Sequence, residues 1–503
     1  IGCVASQNGP AATLLVPGLG ECLKASHPVV AIVQEVANSD KDKNAFQELD
    51  HKEMFTPVSK WVREIPCQER IEDYVDMAFR VAASGRPGPA VLLVRGDLIN
   101  DLTEYEYEDN HTFSYAHYPL DRFTADLDTV EEAAEMLAKA ERPLIYAGGG
   151  VISSEAMEEL RAIQKDCAIP VATTTMGKGS VDETDPLSIG VIGYIMGKRG
   201  MAKFLKPMIT EADVILLVGN RTNANGTDVW TMLPETAKYI HIDIDGEEIG
   251  RNYESVRLCG DAKKTLAALK KALDNQDLSK RESLRQSVAD QIAKGKALHE
   301  EEIQDVLVDG ITPIRIEKFM TIADELFADD QVIVLDASAA TVWAANYLTA
   351  KGERKFIFPR GLAGIGWGFG LAVGAATALP DRKIFCLAGD GGFAHSWAEL
   401  ETARRYNMNI ITVVINNEIL SYQKWWEGSC FEYTGMCDLT AVDHAMIAEA
   451  CGVKGIRVTK DSDIKAALEE AFAHDGPVVI DLITEPHCIL PIPYMEVLES
   501  DGI

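Results

Sequence analysis

Asp390 and Asn417 are the two side chains whose type and setting point most directly to chemistry. Asp390 sits in Gly389-Asp390-Gly391-Gly392-Phe393, after the apolar run Lys383-Ile384-Phe385-Cys386-Leu387-Ala388. Asn417 follows a second run, Ile411-Thr412-Val413-Val414-Ile415-Asn416, with twenty-four residues between Gly391 and Asn416. Short apolar runs of this kind read as buried parallel strands, so both donors fall at carboxyl ends of strands. One anionic and one neutral oxygen donor suit a hard cation that completes its shell with phosphate oxygens and water, as Mg²⁺ does. Gly391 and Gly392 let backbone N–H groups approach the same phosphate, and a helix start adds positive potential.

Positioning these donors requires a particular chain path. Trp397, Leu400, Ala403 and Tyr406 recur at helical spacing, which predicts a helix over 394–406. Strand, helix and strand then make a right-handed crossover that returns Asn417 beside Asp390. The same alternation extends along the chain and gives an α/β fold class: three doubly wound parallel-sheet domains. The first, 1–108, has strands at 29–33 and 90–94 around a helix at 70–83, and the polar, aromatic stretch 101–121 reads as a linker. The second, 124–275, alternates helices at 130–140 and 157–166 with strands at 143–147, 171–175, 214–218 and 239–245. A charged helical linker, 276–310, leads to the third, 311–503, with strands at 332–335, 355–358, 384–388, 411–415 and 478–483.

Composition narrows the field. At 503 residues the chain accommodates three domains of ordinary size. A net charge of −30 without a Lys/Arg-rich stripe argues against nucleic acid and anionic membrane as partners. Ten scattered cysteines without a Cys-x-x-Cys pair read as reduced thiols of a cytoplasmic protein. The uncharged stretch 361–380 is rich in glycine and runs into the strand before Asp390. It reads as a buried helix under the phosphate site rather than a membrane span. Ile1-Gly2-Cys3-Val4-Ala5 reads as the middle of a strand, with no initiator Met or signal peptide, so a segment upstream is expected.

Several segments then fall in a telling order. These are Ala45-Phe46-Gln47-Glu48-Leu49-Asp50, Ser84-Gly85-Arg86-Pro87-Gly88-Pro89, His241-Ile242-Asp243-Ile244-Asp245 through Glu248-Ile249-Gly250, Trp343-Ala344-Ala345-Asn346 and Trp426-Glu427. Together with the Asp390 and Asn417 spacing, they resemble the acetohydroxyacid (acetolactate) synthases, thiamine diphosphate (ThDP) enzymes that decarboxylate and join 2-oxoacids. The likeness covers nearly the whole chain. It implies a pyrimidine-binding domain, a central domain that often carries FAD or ADP, and a diphosphate-binding domain, in the order of the three regions.

The resemblance also implies roles. Asp390, Asn417 and the main-chain carbonyl of Ile419 would hold Mg²⁺, with Gly389, Gly391 and Gly392 around the diphosphate. Ile365 matches the apolar residue that wedges ThDP into a bend, bringing its imino nitrogen near the reactive carbon so that proximity replaces a bimolecular proton transfer. The carbonyl of Ala363 would accept from the aminopyrimidine. Phe46 and Gln47 match residues that reach the cofactor from a neighbouring subunit, so a homodimer is the smallest active unit and a homotetramer is compatible. Trp426 matches a residue that shapes the pocket for the substrate's alkyl group. Arg86, Gly149, Gly150, Arg221, Asp243 and Asp261 match positions that contact FAD or ADP, and no strand-to-helix turn carries Gly-x-Gly-x-x-Gly. His395 reads as an ordinary residue of the turn after the motif.

Four departures bear on the reaction. The family's activating glutamate lies upstream of the segment that matches the chain's start; Glu21, Glu35 and Glu48 do not match its position. Asn225 stands where the family has an arginine that grips the second 2-oxoacid, and a neutral amide does not replace a bidentate guanidinium. Ala339 and Ala340 replace a Gln-His pair that donates to the diphosphate. The segment Ser6-Gln7-Asn8-Gly9-Pro10 is one residue longer than the family's. The expected function is ThDP- and Mg²⁺-dependent decarboxylation of a 2-oxoacid with transfer of the enamine to an acceptor, with acetolactate formation weak because of Asn225. The alternatives are a C–C lyase or acetyltransferase on an acyl-CoA or sulfoacetaldehyde type of acceptor, or a non-catalytic cofactor-binding fragment.

Overall fold

The computed structural model describes residues 1–100, 115–431, 433–493 and 495. Most of the expected linker, 101–114, lies outside the described residues, as do 494 and 496–503 of the third expected domain. By contacts the chain divides into two compact units. One comprises Ile1–Arg122 with Pro359–Gly364, and the other begins at Phe123 and takes in the rest.

The first unit holds a four-stranded parallel sheet of β1 (Gly2–Ser6), β2 (Val29–Glu35), β3 (Trp61–Glu64) and β4 (Pro89–Arg95), in the order β1-β2-β4-β3. Val30, Ala31, Val33 and 90–93 are fully buried, which is why their run is continuously apolar. Helix Ile71–Ala83 carries Ala78, Ala82 and Ala83 inward, small side chains that let it lie close on β2 and β4.

Two six-stranded parallel sheets make up the second unit. The central one uses β5 (Pro143–Ala147), β6 (Val171–Thr173), β7 (Ser188–Val191), β8 (Val214–Val218), β9 (Lys238–Asp243) and β10 (Ser255–Cys259), ordered β10-β9-β8-β5-β6-β7. The last is β12-β11-β13-β14-β16-β15, formed by β11 (Val332–Leu335), β12 (Lys355–Ile357), β13 (Ile384–Gly389), β14 (Ile410–Asn416), β15 (Lys454–Val458) and β16 (Val478–Ile483). β13 and β14 occupy its middle, where each fully buried Ile, Val, Leu or Phe contributes roughly 1.5–3 kcal/mol. Three parallel sheets with crossover helices are the expected α/β architecture.

Two helical expectations change in detail. The crossover after Asp390 is not one helix over 394–406 but a short turn of helix, Asp390–Phe393, then a 3₁₀ turn, Trp397–Glu399, then helix Leu400–Arg405. Its apolar period survives because Leu400 and Ala403 still face the core. The apolar stretch 361–380 is helical only at Gly368–Ala378, and only one face, with Phe369, Ala372 and Ala376, is buried. The Gly370 and Gly374 face is exposed. Among the described residues no helix is long and apolar enough to cross a membrane.

Candidate functional site

β13 and β14 pair in parallel with Gly389 opposite Ile415, so the residues just beyond them, Asp390 and Asn417, emerge together. Asp390 is 7% exposed. One of its carboxylate oxygens accepts the Gly391 N–H at 2.8 Å and the other the Glu418 N–H at 2.7 Å. Burial pushes its pKa up to about 6 in spite of these donors. A buried carboxylate with lone pairs to spare, short of a positive neighbour, is a natural cation ligand.

Asn417 completes a hard-oxygen set. Its Nδ2 donates to Ser421 Oγ at 2.8 Å, which turns the amide so that Oδ1 is the oxygen left for a ligand. The Ile419 N–H reaches that Oδ1 only at 3.4 Å. Ile419 itself bridges Asp438, but the ladder bonds run from Leu420 to Cys437 and from Leu439 to Glu418 at 2.7 Å each, which leaves the Ile419 carbonyl outside the ladder. Ile365, Gly389, Asp390, Gly391, Gly392, Asn417 and Ile419 line one cleft, together with the start of helix Ala339–Tyr347. One carboxylate, one amide oxygen and one carbonyl fit Mg²⁺ better than a soft metal. No cluster of three His, Cys, Asp or Glu side chains suited to a metal occurs among the described residues.

Asp336 is a site residue that the sequence reading did not single out. It follows β11 and is buried, and its carboxylate accepts the N–H groups of Ala337 at 2.9 Å, Gly366 at 3.0 Å, Trp367 at 3.0 Å and Gly368 at 3.1 Å. Burial raises its pKa and these four donors oppose the rise. A Cβ on Gly392 would lie 2.2 Å from its Oδ2 and 3.3 Å from Ile365 Cγ1. Asp336 therefore ties the turn after Ile365 to the Asp390 turn, and Gly392 is glycine because the carboxylate occupies the space of a side chain. Asn416 is anchored similarly: its Nδ2 donates to Asp481 Oδ1 at 2.8 Å, while Arg457 bonds the other oxygen at 2.9 Å.

In the first unit, Ala363 has φ +63° and its N–H reaches Glu21 Oε2 at 3.3 Å. The Gly361 and Leu362 N–H groups bond the same carboxylate at 2.7 and 2.6 Å. Glu21 thus holds the backbone that presents the Ala363 carbonyl. The Phe46-Gln47 loop is fixed from beneath: Asn8 Nδ2 donates to the carbonyls of Phe46 and Gln47, and the Gly9 N–H donates to His51 Nε2 at 2.9 Å. Phe46 is 86% exposed, and the Gln47 Oε1 is buried without a partner among the described residues. Arg86, in the same unit, donates to Ser26 Oγ at 3.0 Å.

The remaining candidates stand elsewhere in the second unit. Gly149, Gly150, Arg221, Asp243 and Asp261 follow or end β5, β8, β9 and β10, neighbouring strands whose carboxyl ends share one sheet edge. Gly150 is glycine for packing, since a Cβ there would lie 2.6 Å from Gly219 Cα. Asp261 caps helix Ala262–Leu273 through the Lys264 N–H and accepts the Ser154 hydroxyl at 2.5 Å. Trp426 is half-exposed on helix Ser421–Cys430 and is not part of the cleft lining. His395 is exposed in the turn after the motif.

Comparison with known proteins decides the family. The thiamine pyrophosphate enzyme N-terminal TPP binding domain matches residues 1–54, the central domain 130–269, and the C-terminal TPP binding domain 336–482. The probable acetolactate synthase large subunits of Methanococcus aeolicus and Methanocaldococcus jannaschii are each 32% identical to the chain, over 97% and 98% of it and 82% of each relative. The chain belongs to the acetolactate-synthase-like thiamine pyrophosphate enzymes. Chloroplastic acetolactate synthase 1 of Nicotiana tabacum, 30% identical over 99% of this chain and 75% of its own length, shows how widely the likeness extends. Within this enzyme family, the segment 336–482 matched to the C-terminal TPP binding domain contains Asp336, Asp390, Asn417 and Asp481.

Proposed function

We propose that the cleft at Asp390 and Asn417 holds Mg²⁺ and the diphosphate of ThDP, and that the enzyme decarboxylates a 2-oxoacid and transfers the remaining acyl unit to an acceptor. The observation that carries this is the buried Asp390 carboxylate beside the oriented Asn417 amide, on a cleft floored by glycines. Bound ThDP supplies a nucleophilic carbon and an electron sink for the loss of CO₂. The chain's own contribution is positional. Asp390, Asn417 and the Ile419 carbonyl would hold the cation that neutralises the diphosphate, Asp336 fixes the turn that carries Ile365, and Glu21 fixes the one that carries the Ala363 carbonyl. Apolar Ile365 helps exclude water from the reacting end.

Acetolactate formation, weakened by Asn225, is the first reading of the acceptor step, after the relatives. A second, transfer to an acceptor without a carboxylate, is favoured by Asn225. Its carbonyl accepts the Tyr194 N–H at 2.9 Å, while its side chain is exposed and neutral. FAD or ADP is assigned to the carboxyl edge of the central sheet at Gly149, Gly150, Arg221 and Asp243, with Asp261 as a further contact. The assembly is a homodimer or homotetramer, supported by the apolar face left exposed on helix Gly368–Ala378 and by Phe46. Ten free cysteines suit a reducing compartment such as the cytoplasm.

A panel of 2-oxoacids with and without candidate acceptors, scoring CO₂ and the coupled product separately, tests the reaction. CO₂ release that depends on ThDP and Mg²⁺, with little acetolactate from pyruvate alone, is expected. Efficient acetolactate formation would overturn the reading of Asn225, and no CO₂ from any 2-oxoacid would overturn the proposed reaction.

A further inference from the structure

The cleft has few side-chain donors for an anion along the start of helix Ala339–Tyr347. Ala339 and Ala340 contribute methyl groups there, leaving the unbonded first-turn N–H groups and Ser338. Thr484, the first residue after β16, lines the same cleft. It is 4% exposed, and its hydroxyl has no hydrogen-bond partner among the described residues. Its backbone is anchored on two sides. The Thr484 N–H donates to the Asn416 carbonyl at 2.9 Å, and the residue bridges Ile314, whose carbonyl takes the Glu485 N–H at 3.0 Å. The orphan hydroxyl is therefore carried by a strand end bonded directly to the residue before Asn417.

A buried hydroxyl without a partner is costly, and a valine of the same shape would avoid that cost. The neighbouring polar groups do not serve it: the Glu485 carboxylate accepts the His487 N–H at 3.1 Å, and the Cys488 thiol is directed at Glu317 at 4.0 Å. We infer that the Thr484 hydroxyl donates a hydrogen bond to a diphosphate oxygen of the cofactor, as a ligand-binding residue that supplies a side-chain donor where Ala339 and Ala340 supply none. This rests on the ThDP reading of the cleft. The bond is charge-assisted and adds no charge, so neutralisation stays with the cation.

Calorimetric titration of the protein with ThDP and with inorganic diphosphate, each with Mg²⁺, tests the role in the wild type, Thr484→Val and Thr484→Ser, alongside ligand-free melting temperatures. The valine variant should bind both ligands about tenfold or more weakly while melting no lower than wild type, and the serine variant should restore binding. A structural role would lower melting temperature and affinity together. Unchanged affinity in Thr484→Val, or parallel loss of affinity and melting temperature, overturns this inference and leaves the cofactor site standing. Failure of the wild type to bind either ligand overturns the cofactor reading, and the role of Thr484 with it.

Discussion

At the scale of single residues, the candidate site is a set of buried carboxylates with different tasks. Asp390 keeps lone pairs for a ligand, whereas Asp336 spends its carboxylate on four backbone N–H groups. Asp336→Ala would orphan those donors at about 1–3 kcal/mol for each that stays buried. The expected result is a melting temperature lower by several degrees and weaker ThDP binding, checked by scanning calorimetry and titration. Asp390 and Asn417 were legible in sequence because each ends an apolar run at a recognisable interval. Asp336 carries the first signal, following Val332-Ile333-Val334-Leu335, but has no flanking glycine to mark it. Ser421 and Thr484 had no such signal, since a lone hydroxyl after a strand gains meaning only when its neighbours in space are known.

At the scale of elements, what burial makes uniform was readable and most of what lies at sheet edges was not. The central strands β4, β5, β8, β13 and β14 are largely apolar because most of their residues are buried on both faces. The strands missed in the sequence, β3, β7, β10 and β15, all sit at sheet edges, where residues such as Arg63, Arg257 and Lys454 are accommodated and blur the apolar pattern. Helix Ser279–Glu302 shows the converse. It reads as a charged arm, yet it buries Arg281, Ile292, Gly295 and His299, and Arg281 donates to the Ala140 carbonyl at 3.2 Å. A Cβ on Gly295 would stand 2.3 Å from Leu205 Cδ2. Gly295→Leu should therefore cost stability by about 1–3 kcal/mol through overpacking, outweighing a helix-propensity gain of about 1 kcal/mol. A denaturation midpoint at or above wild type would show that this helix is not packed against Leu205.

Across the whole molecule, pH acts through two groups of opposite sign. Burial pushes the pKa values of His241, His299 and His444 down to about 4. The unfolded chain therefore binds more protons between about 6.5 and 4, and stability falls as pH drops through that window. Asp390, raised to about 6, works the other way: its contribution is complete below the ordinary carboxylate value near 3.8 and is lost as pH rises through 6. A bound cation removes that loss, so Mg²⁺ with inorganic diphosphate should raise the melting temperature more at about pH 7.5 than at about pH 5. Equal shifts at both would contradict Asp390 as the ligand. The central claim is that Asp390 holds the cation through which this chain binds its cofactor, and titration calorimetry with ThDP, with and without Mg²⁺, on wild type and Asp390→Ala tests it most directly. Wild type should bind ThDP only with Mg²⁺ and Asp390→Ala should show no Mg²⁺-dependent binding. Unchanged binding by Asp390→Ala would contradict the account.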